Sequence, residues 1–103
     1  ITPHSLDLPF MFDNVKKAPD MVGEPTAGTA AMATMMSETW LAFARNGDPN
    51  NAAIPPWKPY GLDARTVMLF DTPPSAESDP HRAERQAMEK YPTQQLGRVL
   101  HRR

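Results

Sequence analysis

The sequence contains no cysteine, which removes disulfide frameworks, thiolate metal sites and thiol nucleophiles together. Glycine is sparse, at 5 residues. Gly23, Gly28, Gly47, Gly61 and Gly97 include no pair four apart, so no Gly-x-Ser-x-Gly nucleophile elbow is present, and neither a dinucleotide nor a P-loop phosphate fingerprint can be read. No apolar run approaches the roughly 18 residues that would cross a bilayer, and residues 1–12 have neither a basic start nor a small-residue cleavage site. The expectation is a chain without a membrane span or a secretion leader in these residues.

Charge of one sign is also lacking, because the formal net charge is −1. The distribution is uneven: residues 81–103 carry 6 basic and 2 acidic side chains. Arg98, Arg102 and Arg103 are not interleaved with aromatic residues that could stack on bases, so no nucleic-acid partner is expected. The three histidines, His4, His81 and His101, lie far apart, and no two stand four apart on a helix as a metal site would require. Asp48-Pro49-Asn50 lacks the alternating carboxylates and closing glutamate of a calcium loop. No metal and no cofactor are expected.

What the chain does have is proline, 12 in 103 residues, about twice the ~5% of an average protein and spread throughout. Scattered proline cuts a chain into short elements. Leu6, Leu8, Phe10 and Phe12 alternate with Asp7, Pro9 and Met11, a period of two that predicts a half-buried extended segment. Residues 16–26 read as a connecting loop. From about Gly28 to Asn46, the residues Met32, Met35, Met36, Thr39, Trp40 and Phe43 recur every three or four positions and predict a helix with this stripe in the core. Asn46, Gly47 and Asp48-Pro49 stop it. Residues 50–62, with Pro55, Pro56 and Pro59, predict an extended strap pinned by Trp57 and Tyr60.

The run Thr66-Val67-Met68-Leu69-Phe70 has no alternation, as in a strand covered on both faces. Asp79-Pro80 pairs a cap residue with the imino acid favoured at a first helical position and predicts a helix over 80–91, with His81 exposed in its first turn. Residues 93–103 show no periodicity and are expected to fray. Two helices and one strand do not make a stable sheet. The strand's partners are therefore expected outside this sequence, and residues 1–92 are read as one segment of a larger fold.

Four ordered blocks carry a family resemblance. They are His4-Ser5-Leu6-Asp7-Leu8-Pro9-Phe10-Met11-Phe12; Met36 to Asn50; Pro56-Trp57 with Tyr60 and then Arg65 to Asp71; and Asp79-Pro80 with Glu84-Arg85. Order and spacing across residues 4–85 resemble the carboxyl-terminal fifth or so of type B carboxylesterases, the α/β-hydrolase family that includes cholinesterases and bacterial para-nitrobenzyl esterases. Lys58 departs from the family's usual Trp-Pro continuation. The resemblance implies an α/β fold and a serine esterase acting on a small-molecule ester. His4 would be the proton-transferring histidine of a Ser-His-acid triad, and the missing amino-terminal portion would carry the serine and the acid.

Asp7 and Asp13 are not expected to be that acid. Asp7 is expected to cap or anchor the loop. Without those partners the chain is expected to be inactive. The readings weighed against this one are part of a non-catalytic, esterase-like adhesion protein and a small partner-binding protein.

Overall fold

The computed structural model describes residues 3–91. In chain order the elements are α1 (Asp7–Met11), a 3-10 turn (Val15–Lys17), α2 (Pro19–Val22), α3 (Ala27–Asn46), β1 (Thr66–Leu69), β2 (Ser75–Ser78) and α4 (Arg82–Met88). The expected fraying over 93–103 lies outside the described residues.

α3 is the spine. At its start, Thr26 Oγ1 accepts the Thr29 N–H at 3.1 Å, which satisfies one of the donors a helix N-terminus leaves open. At its end, Gly47 takes φ +70° and sends its N–H to the Phe43 carbonyl at 2.7 Å. That left-handed turn suits glycine.

Ala33, Met35, Ser37 and Thr39 are the buried residues of this helix. The two hydroxyls among them bond back within the helix, Ser37 Oγ to the Thr34 carbonyl and Thr39 Oγ1 to the Met35 carbonyl, so their burial leaves no polar group unpaired. Met35 joins Ile54 and Met68 in a small core, with Met32, Trp57 and Phe70 packed around it. Trp57 and Phe70 meet edge to face at 6.4 Å and 82°, a favoured geometry for aromatic pairs. The expected stripe is thus only half covered: Trp40 and Phe43 are 53% and 50% exposed.

The strap after α3 is held by amides. Asn50 Oδ1 accepts the Trp57 N–H at 2.7 Å and Asn50 Nδ2 donates to the Trp57 carbonyl at 2.8 Å. The side chain thereby takes the place a neighbouring strand would fill. Asn51 Nδ2 reaches Thr39 Oγ1 and the Pro49 carbonyl. Trp57 packs inward, as the sequence suggested, whereas Tyr60 is 60% exposed and accepts only a 3.3 Å bond from Arg65 Nη1.

Further sequence expectations need correction. The segment at Leu6–Phe12 is helical, not extended: Leu6, Pro9 and Phe10 turn inward and Leu8 and Phe12 outward. Five residues are too few to separate a period of two from one of 3.6. Residues 16–26 are not a simple loop but hold the rest of the 3-10 turn and all of α2.

β1 finds a partner inside the chain, pairing antiparallel with β2 in the register Thr66↔Ser78, Val67↔Glu77, Met68↔Ala76 and Leu69↔Ser75. Ser-Ala-Glu-Ser has no apolar pattern to announce a strand; backbone pairing alone makes it one. Finally, α4 begins at Arg82 rather than Pro80, because Asp79 sits at φ +51° and turns its carboxylate to arginines instead of capping the helix.

Candidate active site

The turn at residues 3–6 is closed by the Leu6 N–H on the Pro3 carbonyl at 3.3 Å, and the Leu8 N–H on the Ser5 carbonyl at 3.2 Å starts α1. Between these bonds Ser5 adopts φ +66°. For a residue with a Cβ this conformation costs about 1–2 kcal/mol, and such strain persists only where surrounding structure enforces it. The enforcing structure is α1, whose buried Pro9 anchors it and which packs on α3. Pro9 stands in the first helical turn, where its missing N–H is no loss. Asp13, at φ +48°, ends the element.

This turn leaves His4 exposed at its outer side. Among the described residues the ion pairs include His81 but not His4. Asp7 and Asp13 are exposed, and Asp7 stands in the first turn of α1 without making a cap bond. His81, 4.0 Å from Glu84 with both side chains largely exposed, forms a weak surface pair. Among the described residues no group of three or more His, Cys, Asp or Glu side chains could hold a metal, and no helix is long and apolar enough to cross a membrane.

Hollows open on the surface of the described residues. A shallow one of about 270 Å³ lies beside α1 among Leu8, Pro9, Phe12 and Met21. A larger groove of about 790 Å³ runs between α3, the strap and β1, with Trp40, Phe43, Trp57, Tyr60, Val67 and Phe70 in its walls. His4 lines neither.

Charge gathers in one place. Asp79, with a side chain 8% exposed, receives Arg85 Nε at 2.9 Å and Arg85 Nη2 at 2.6 Å, and lies 3.3 Å from Arg82 Nε. Arg85 also reaches Glu89 at 2.5 Å. The Arg85 hydrogen bonds hold the Asp79 carboxyl below the usual carboxylate range against the upward push of burial, and the charges of Arg85, Arg82 and Arg65 add to the fall. The Asp79 N–H meanwhile bonds the Arg65 carbonyl at 3.1 Å. One residue thus ties α4 to the start of β1. The sequence reading missed this knot, whose only signal was a carboxylate with arginines three and six positions on.

The model of the carboxylesterase family matches residues 1–91. The para-nitrobenzyl esterase of Bacillus subtilis is 29% identical over 86 residues, 82% of this chain and 17% of that protein. Among solved structures, a PNB esterase superposes with a TM-score of 0.76 at 27% identity, covering 87% of this chain and 18% of its own. A carboxylesterase of Geobacillus stearothermophilus gives 0.74 at 36% identity, covering 84% and 20%.

These neighbours are hydrolases of the α/β-hydrolase fold, and the described elements match a small part of it. The chain belongs to the carboxylesterase family. It spans about 17% of the length of the Bacillus protein.

Proposed function

We propose that this chain contributes the general base, His4, to a serine carboxylesterase whose nucleophilic serine and orienting acid lie on the remainder of an α/β-hydrolase fold. The supporting observation is the strained Ser5 turn, which holds an exposed His4 at the edge of an anchored element in a chain that matches the family over residues 1–91. The resemblance places a small residue after this histidine, and the turn gives the reason: at φ +66° a branched side chain would clash.

In the reaction the imidazole removes the proton from the serine hydroxyl as it attacks the ester carbonyl. It then returns that proton to the departing alkoxide, leaving an acyl-enzyme that water cleaves by the same two transfers. Imidazole suits both directions because its ordinary pKa lies near neutral pH. Substrates are carboxylic esters of small alcohols or phenols, in keeping with the benzyl ester in the name of the Bacillus relative.

The test places this chain in the hydrolase body proposed to accompany it and follows a chromogenic aryl ester. His4→Ala should lower kcat about 10⁴-fold or more. A rate within roughly threefold of the parent, the scale of ordinary mutational noise, overturns the assignment.

A further inference from the structure

Asn46-Gly47, at the end of α3, is the one place in the sequence where glycine follows asparagine. Asparagine is among the thermolabile side chains, because the backbone nitrogen of the next residue can attack its amide carbon. Glycine offers that nitrogen with no Cβ beside it, and a Cβ built at Gly47 meets nothing within 4 Å, so no packed neighbour blocks the approach. The other asparagines are placed differently. Asn14 precedes the buried, β-branched Val15. Asn50 and Asn51 precede residues that carry a Cβ, and their side chains are engaged, Asn50 with the Trp57 backbone and Asn51 with Thr39 and the Pro49 carbonyl.

The same corner restrains the reaction. Asn46 is the last residue of the helix, and the Gly47 N–H donates to the Phe43 carbonyl at 2.7 Å. Attack requires that N–H to come free and lose its proton. It also requires Asn46 to leave the helical ψ, near −42° in an ordinary helix, so that the nitrogen can swing onto the side-chain carbon. Both conditions are met when the last turn of α3 opens. Helix ends fray at far lower cost than the whole fold unfolds.

We propose that Asn46 is a site of spontaneous deamidation, gated by the hydrogen bond that closes α3. The Gly47 nitrogen gives its proton to solvent base and bonds to Cγ of Asn46; the Cγ–Nδ2 bond breaks and ammonia leaves, closing a cyclic imide. Water then adds to either imide carbonyl and opens the ring. One opening gives aspartate at position 46, and the other gives isoaspartate, whose backbone runs through the side-chain carbon. Overall one water is consumed and one ammonia released, with no oxidant or cofactor and no part for His4.

Either product puts a carboxylate at the negative end of the helix dipole, two residues before Asp48. Isoaspartate also lengthens the backbone by a methylene between Phe43 and Asp48-Pro49-Asn50, and it is Asn50 that clasps the strap at Trp57. Deamidation therefore loosens the corner where α3 hands over to the strap, an irreversible change that accumulates with the time the last turn spends open.

The experiment incubates the 103-residue chain in mildly alkaline buffer, folded and in urea. Position 46 is followed by peptide mass spectrometry and by labelling with an isoaspartyl methyltransferase, and circular dichroism follows α3. Modification is expected at Asn46 ahead of Asn14, Asn50 and Asn51, with a rate in urea about tenfold or more above that of the folded chain. Arg45→Glu exchanges the cation of the last turn for an anion at the negative end of the dipole; it should speed the folded reaction about threefold and leave the urea rate unchanged. Gly47→Ala should slow the reaction in urea, where the helix cap has no influence, because the added Cβ hinders the nitrogen. Three results overturn the proposal: no deamidation of position 46 in the folded samples, a folded rate equal to the urea rate, or an Arg45→Glu variant whose two rates rise together.

Discussion

Asp79 is the residue whose surroundings make the sharpest demand on pH. Its carboxylate is buried, doubly bonded to Arg85 and close to Arg82, and its pKa is depressed relative to an ordinary carboxylate. A depressed folded-state pKa stabilises the fold fully above the unfolded value, near 3.9, and the contribution is lost as pH falls through the lower folded value. Asp79→Asn should therefore lower the melting temperature of the chain at pH 7, and the gap from the parent should close below about pH 4. Equal gaps in melts at both pH values would show that the charge is not what ties α4 to β1. The role of this residue was not legible in the sequence, where Asp79-Pro80 has the form of a helix start. Backbone preferences act over two or three residues, while the arginines that claimed the carboxylate reach it only because α4 folds back over it. The family pattern beside His4 was legible for the opposite reason: the block Leu6 to Phe12 is local, and a positive φ at Ser5 goes with the small side chain there.

At the scale of elements, α3 carries its own start and stop signals, and both are testable apart from tertiary packing. Thr26→Ala removes the bond to the Thr29 N–H and should cost about 1 kcal/mol. Gly47→Ala forces a Cβ into φ +70° with nothing within 4 Å of it, so its cost, again about 1 kcal/mol, is one of backbone conformation alone. The two sites stand at opposite ends of a 20-residue helix and share no partner. The double variant should lose about 2 kcal/mol in urea unfolding followed by circular dichroism. A much smaller sum would mean that packing against α1 and the core overrides the caps. Helix α3 was predictable within one residue at its start because twenty residues give a 3.6 period room to show itself. Helix α1 and strand β2 were not, one being too short to show a period and the other too polar to show a pattern.

For the whole molecule the decisive feature is how little is enclosed. Among the described residues the buried hydrophobic ones are Val15, Ala33, Met35, Ile54 and Met68, whereas Trp40, Phe43, Tyr60 and Leu62 stand open. Among the described residues His4 is exposed and enters no ion pair, and on the proposed reading its serine and acid lie outside this chain. The 103-residue chain alone should hydrolyse para-nitrophenyl acetate no faster than an equal concentration of free imidazole; a clear excess, abolished by His4→Ala, would show that it builds a site by itself. The sequence determined the long helix and its stop, the proline-rich strap, the apolar strand and the family pattern around His4, since each depends on neighbours within a few turns of chain. Tertiary structure alone decided which side of the helix stripe is covered, that a polar segment becomes the partner of β1, and that Asp79 serves arginines rather than a helix start. Burial joins residues distant in the chain, and even the short-range pairing of Asp79 with Arg82 and Arg85 follows from how the backbone turns at Asp79 rather than from a residue preference.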